Sequence, residues 1–86
     1  MHPSVSRAIA APLYKKVMKK LRQKDRDLFE QVEGQMEKIV REPELGKPLR
    51  HDLKNHRRLH VGSSVILYEF HAGVLNFLDF DHHDKI

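Results

Sequence analysis

The chain has 86 residues, no cysteine and a formal net charge of +4 at pH 7. This length suits one small domain, which we predict over residues 1–86. Without cysteine there can be no disulfide, thiolate metal site or cysteine nucleophile. No apolar run approaches the roughly 18 residues that a membrane span needs, and the first residues do not resemble a secretory signal. We therefore expect a cytoplasmic protein with no membrane partner.

Two amphipathic helices are predicted in the first half of the chain. Pro12 suits the first turn of a helix, and the apolar positions that follow recur at helical spacing, at Leu13, Val17 and Leu21. Asp25 can cap a second helix, and Pro43 ends it because the residue before a proline avoids helical geometry. The connection is short, so the helices should form an antiparallel hairpin. Residues 4–10 give a weak signal for a short strand at a sheet edge.

The second half changes to the period of a strand. In "RRLHVG", Leu59 and Val61 point to one face while Arg58 and His60 point to the other. "SVILYEFH" is almost continuously apolar, as in a strand buried on both faces, and a tight turn leads from it to "VLNFLDF". The predicted fold is α+β: a weak N-terminal strand, a helical hairpin, and a three-stranded antiparallel meander with the helices on one face.

Basic residues gather around the first meander strand. Arg58 and His60 should stand on the open face, and Arg57 should project into the preceding loop, which carries Lys47, Arg50, His51, Lys54 and His56. The planar guanidinium group suits phosphate oxygens, and histidine can exchange a proton near neutral pH. The alternative is an outer strand face that is charged only for solubility.

The C-terminal segment "DHHDKI" contains residue types that bind metals. Adjacent residues of a strand point to opposite faces, so we do not expect His82 and His83 to share one ion. The sequence therefore predicts no metal site and no cofactor. A more specific hypothesis is that a histidine of this segment returns beside Arg58 and His60 as a proton donor or acceptor.

The order of elements and three segments resemble the RelE/ParE toxin superfamily, and most closely the archaeal-type RelE toxins. The segments are "VMKKLRQKDRDLFEQV", "EPELGKPLRHDLKNHRRLHVGSSVILYEF" and "LDFDHHDKI". The resemblance implies a cytoplasmic toxin that cleaves messenger RNA on the ribosome without a metal ion. It also implies a RelB-like antitoxin as partner, a toxin–antitoxin heterotetramer as one assembly, and operator DNA bound only through the antitoxin.

The resemblance assigns roles to individual residues. Arg58 matches a basic position that contacts the phosphate, His60 a basic position two residues further along the strand, and His83 a C-terminal position where we expect the general acid. We expect the phosphate-binding field to come from Lys47, Arg50, Lys54 and Arg57.

Some residues depart from the pattern of that family. Val65 replaces a strand arginine, Asp81 and Asp84 make the C-terminal segment acidic, and many members continue beyond the position of Ile86 with an aromatic residue. These departures keep two alternatives open. One is a weakly active or inactive module that mainly binds its antitoxin, and the other is a ParE-like inhibitor of DNA gyrase.

Overall fold

The computed structural model describes residues 4–50 and 55–86, which form two helices against one face of a five-stranded sheet. The elements, in chain order, are β1 (Arg7–Ala10), α1 (Pro12–Lys24), α2 (Arg26–Arg41), β2 (Lys47–Pro48), β3 (His56–Val61), β4 (Ser64–His71), β5 (Val74–His82) and a 3₁₀ helix (His83–Lys85). The sheet order is β1-β5-β4-β3-β2, with β1 parallel to β5 and the other pairs antiparallel. Neither described helix is long and apolar enough to cross a membrane.

The predicted α+β architecture is confirmed. Helix α1 begins at Pro12, and the side chain of Asp25 caps α2 by accepting a hydrogen bond from the Leu28 N–H at 3.1 Å. The sheet has one strand more than predicted, because β2 is only two residues long and shows no periodic pattern.

The core lies between the helical hairpin and the sheet. It contains residues from both helices and from the three meander strands: Tyr14, Met18, Val32, Ile39, Val61, Ile66, Tyr68, Leu75, Phe77 and Phe80. Phe77 and Phe80 are three residues apart and would face opposite sides of a regular strand. The register of β4 with β5 shifts between Leu67 and Tyr68, so that one extra residue on β5 turns both rings toward the helices.

A buried tyrosine joins the end of the helical hairpin to the sheet. The Tyr68 hydroxyl accepts a hydrogen bond from the Gly46 N–H and donates one to the Pro43 carbonyl, both at 2.8 Å. Gly46 packs so closely that a Cβ there would lie 2.8 Å from the Tyr68 hydroxyl and 2.9 Å from the Arg58 carbonyl oxygen. This contact fixes the start of β2 beside β3, and therefore fixes the region around Arg58.

Candidate functional site

The sheet face away from the helices carries several of the predicted site residues. Lys47 of β2 lies directly opposite Arg58 of β3, and residues directly opposite each other share a face. His60 follows on the same face, opposite Val65, and its side chain is exposed. The structure thus brings Lys47, Arg58 and His60 to one side of the sheet.

Arg58 lies in a cleft at the β2–β3 edge of this face. The cleft has a volume of about 530 Å³ and is lined by Pro48, Leu49, Arg50, Arg58 and Ile86. The Arg58 Nη1 donates a hydrogen bond to the main-chain oxygen of Ile86 at 3.2 Å. Arg50 and Arg58 therefore line one cleft, in which a phosphate group could accept from Arg58 in place of the Ile86 oxygen.

His83, the residue after the end of β5, is held by a single carbonyl group. Its main-chain N–H donates to the Ser63 oxygen at 3.0 Å, and its ring Nδ1 lies 3.0 Å from the same oxygen. Because a carbonyl can only accept, Nδ1 carries the proton of this bond. The ring is thereby fixed at Nδ1 and offers Nε2 to other partners.

The C-terminal segment folds back over the sheet between these two anchors. His83 is held at Ser63, beside the row where β3 turns into β4, and Ile86 is held at Arg58. We infer that the path between them crosses the row of His60 and Val65. Val65 is completely buried, on a face that the helices do not cover.

The expectation that His82 and His83 cannot share an ion, because they point to opposite faces, was wrong. Strand β5 ends at His82, which caps the 3₁₀ helix by accepting from the Asp84 N–H. The two rings consequently lie with their centroids 4.3 Å apart. With the Asp84 carboxylate they form a group whose ligand atoms all lie within 4.8 Å of one another.

Arg57 lies apart from this group. It alternates with Arg58 and faces the helix side, where its Nη1 donates to the Glu44 oxygen at 3.0 Å and to the Gly46 oxygen at 2.7 Å. Its Nη2 lies 3.5 Å from the Glu44 carboxylate. As predicted, it reaches into the loop before the strand, but these bonds place it in the α2–β2 connection and away from the cleft.

Charge is divided across the open face. The β2–β3 side carries Lys47, Arg58 and His60, while the register of β5 places Asp79 opposite Leu67 and Asp81 opposite Val65. An anionic ligand is therefore attracted toward β2 and β3 and repelled from β5.

Two predicted loop residues, His51 and Lys54, lie outside the described residues. Sequence reasoning missed two backbone contacts, the Ser63 carbonyl that holds His83 and the Ile86 oxygen that Arg58 binds. The first follows from the hairpin register, because Ser64 pairs with His82 and so Ser63 must lie beside the next residue. No side-chain pattern in the sequence indicates the second.

Comparison with known proteins places this fold and chain order in one family. The sequence profile described as ParE toxin of type II toxin–antitoxin system, parDE, matches residues 9–86. The chain belongs to the RelE/ParE toxin superfamily. It is 33% identical over 78 residues to RelE4, named as a toxin, of Methanocaldococcus jannaschii, with 87% of this chain and 83% of that protein covered.

Solved structures of this superfamily share the architecture. The RelBE2 toxin–antitoxin complex of Mycobacterium tuberculosis matches with a TM-score of 0.71 and 27% identity, covering 96% of this chain and 94% of that chain. The YoeB/ParE toxin of Agrobacterium tumefaciens matches with a TM-score of 0.78 at 14% identity, covering 90% and 98%, and therefore supports the fold alone. Together with the family match, these similarities make the chain a type II toxin with a RelE-like fold.

Proposed function

We propose that this toxin is a ribosome-dependent endoribonuclease that inhibits translation by cleaving messenger RNA. The observation that carries the proposal is the cleft lined by Arg50 and Arg58, on the same sheet face as His60. The resemblance to RelE toxins supplies the substrate class, and the described geometry supplies cations and imidazoles of the kinds that phosphodiester cleavage uses.

The proposed chemistry is an attack within the RNA strand. His60 removes the proton of the 2′-hydroxyl, the freed oxygen bonds to the adjacent phosphorus, and the bond to the 5′-oxygen breaks. His83 donates a proton to that leaving oxygen, so the products are a 2′,3′-cyclic phosphate and a 5′-hydroxyl. Arg58, with Arg50 and Lys47 nearby, stabilises the charge on the phosphorane, and in the proposed mechanism this charge compensation needs no metal ion.

The Arg58→Ala variant tests this proposal directly. In a reconstituted translation reaction, we expect wild-type protein to cut messenger RNA within the codon in the decoding site, as detected by primer extension. We expect the variant to lose at least about a hundredfold in cleavage rate, because it lacks a donor to the transition state. Arg7→Ala, which removes the same charge from exposed β1 at the other sheet edge, should cleave like wild type.

The outcome distinguishes a role in catalysis from a role in folding. Circular dichroism and thermal unfolding must show that Arg58→Ala is folded, since the Arg58–Ile86 bond is also lost. Folded Arg58→Ala that cuts at the wild-type rate contradicts the proposal. Folded wild-type protein that does not cleave messenger RNA also contradicts the proposal.

We further propose that a RelB-like antitoxin neutralises this toxin. Solved relatives include complexes of RelBE2 and of DinJ–YafQ. In this chain, a groove of about 380 Å³ runs between β1 and α2, with Ile9 37% and Val40 40% exposed at its sides. An amphipathic antitoxin segment that wraps the helices and the β1 edge would cover these side chains, in a heterotetramer that binds operator DNA through the antitoxin.

Inhibition of DNA gyrase is a second candidate function, because the matching family profile is that of ParE toxins. It predicts trapped gyrase–DNA complexes in cells while messenger RNA stays intact. An antitoxin-binding module without activity is the third candidate, favoured by the buried Val65 and by the acids along β5. It predicts that the protein neither cleaves messenger RNA nor traps gyrase–DNA complexes.

A further inference from the structure

We propose that His82, His83 and Asp84 bind a divalent transition-metal ion, and that the bound ion inhibits the toxin by occupying His83. Metal binding stands on the geometry of this segment alone. The inhibitory consequence rests on the proposed function, because it requires His83 to act in cleavage. The bound ion would inhibit cleavage and would take no part in the cleavage reaction itself.

The spacing of the ligand atoms is the first argument. The Asp84 carboxylate lies between the two rings, with Oδ1 at 3.0 Å from His83 Nε2 and Oδ2 at 3.4 Å from His82 Nδ1. Ligands bound tetrahedrally to zinc at 2.0–2.1 Å lie about 3.3 Å from each other. Each imidazole nitrogen therefore lies about as far from a carboxylate oxygen as two ligands of one ion do, and the three ligand atoms lie within 4.8 Å of one another.

The way in which His83 is held is a second and independent argument. Its Nδ1–H donates to the Ser63 carbonyl, which leaves Nε2 as the nitrogen able to bind a metal. Histidines that bind metals usually donate their other ring N–H to a carbonyl or carboxylate, which fixes the orientation of the ring. The β3–β4 turn thus provides for His83 the outer contact found at established metal sites.

The imidazole and carboxylate groups here favour a positive charge between them, supplied by a proton or by a metal ion. His82 Nδ1 lies 3.3 Å from the Asp84 N–H nitrogen and 3.4 Å from the Asp84 Oδ2. A metal ion between the nitrogen and the carboxylate oxygen would be attracted by both. Imidazole and carboxylate donors together suit zinc, nickel, copper or cobalt.

An ion bound here would remove His83 from the cleavage reaction. Nε2 is the ring nitrogen from which a proton could pass to the leaving oxygen, because Nδ1 is bonded to Ser63. A metal on Nε2 leaves no proton there to donate. The exposed position of all three side chains lets the ion enter and leave freely, so the inhibition should be reversible.

The experiment uses Zn²⁺ as the probe and the full chain as the protein. Isothermal titration should detect one bound ion, and ¹⁵N-detected histidine spectra should show the His83 Nε2 shift on titration. Co²⁺ should give the visible absorption bands of a tetrahedral site. In the cleavage reaction, Zn²⁺ should inhibit wild type, and a chelator should restore the activity.

Three variants separate this site from other histidines. His82→Asn keeps an acceptor for the Asp84 N–H but loses the imidazole, and Asp84→Asn loses the anionic oxygen. Loss of a direct ligand should weaken Zn²⁺ binding at least as much as the roughly tenfold cost of losing an outer contact. His71→Asn changes an exposed histidine outside the group and should bind Zn²⁺ as wild type does.

The readouts keep the two proposals apart. If His82→Asn and Asp84→Asn bind Zn²⁺ as tightly as wild type, or if wild type binds none at millimolar concentration, the metal site is refuted whatever the cleavage assay shows. If Zn²⁺ binds at this site but cleavage continues unchanged, the inhibitory role is refuted. If the metal-free protein does not cleave, the nuclease proposal fails while the binding data still decide the site.

Discussion

At the scale of single residues, the two buried tyrosines have opposite hydrogen-bonding situations. The Tyr68 hydroxyl satisfies two buried backbone groups, the Gly46 N–H and the Pro43 carbonyl. The Tyr14 hydroxyl is buried beside Phe77 and has no hydrogen-bond partner among the described residues. Replacing each tyrosine by phenylalanine should therefore change the free energy of unfolding by different amounts.

Tyr68→Phe should lower the free energy of unfolding by about 1–3 kcal/mol, because it leaves a buried N–H and a buried carbonyl unpaired. Tyr14→Phe is the matched control. It removes an unpaired hydroxyl and should leave the free energy of unfolding unchanged or raise it slightly. Urea unfolding measures both, and equal destabilisation by the two changes would contradict this account.

Part of the candidate site could be predicted at this scale, and part could not. Alternation along β3 is enough to separate Arg58 and His60 from Leu59 and Val61. It does not show that Arg57 bonds to the Glu44 and Gly46 carbonyls, because those partners come from a loop without periodicity. The pairing of His82 with His83 was mispredicted because the strand rule was applied one residue beyond the end of β5.

At the scale of elements, the loop between α2 and β3 links the core to the candidate site. The Gly46 N–H donates to the Tyr68 hydroxyl, and a Cβ on Gly46 would lie 2.9 Å from the Arg58 carbonyl oxygen. The sequence signals that fixed the helices, Pro12, Asp25 and Pro43, are local chemistry and could be recognised in advance. Strand β2 could not be recognised in advance, because its two residues become a strand only by pairing with Arg57 and Arg58.

Gly46→Ala should destabilise the protein by about 2 kcal/mol or more, because the new Cβ would lie 2.8 Å from the Tyr68 hydroxyl and displace a buried hydrogen bond. Gly34→Ala is the control. A Cβ there meets nothing within 4 Å, and alanine should stabilise α2 by about 1 kcal/mol. The midpoint of thermal unfolding should fall for Gly46→Ala and rise for Gly34→Ala. Shifts of both midpoints in the same direction would contradict the close packing of Gly46 as the cause.

At the scale of the whole molecule, the core should weaken in alkaline solution. Burial raises the pKa of Tyr14, and the nearby Glu33 carboxylate raises it further. Burial also raises the pKa of Tyr68, although the Gly46 hydrogen bond and Arg57 lower it in part. The folded state therefore favours the neutral phenol at both positions.

The free energy of unfolding should therefore decrease as the pH rises into the alkaline range. The contribution of each neutral phenol to the free energy of unfolding is complete below the unfolded pKa of about 10, and is lost as the pH rises from there through the folded pKa. The urea midpoint of wild type should fall above about pH 10. In Tyr14→Phe the fall should be shallower, and an equally steep fall would mean that Tyr14 does not contribute.

The two edges of the sheet differ in how well a strand of a second polypeptide could pair with them. Strand β2 is two residues long and ends in Pro48, which has no N–H to offer, so a further strand has little to pair with on that side. Strand β1 is four residues long, lies at the other end of the sheet order, and carries the exposed Ile9. The sheet can therefore be extended by strand addition from β1, on the side remote from Arg58, without blocking the cleft.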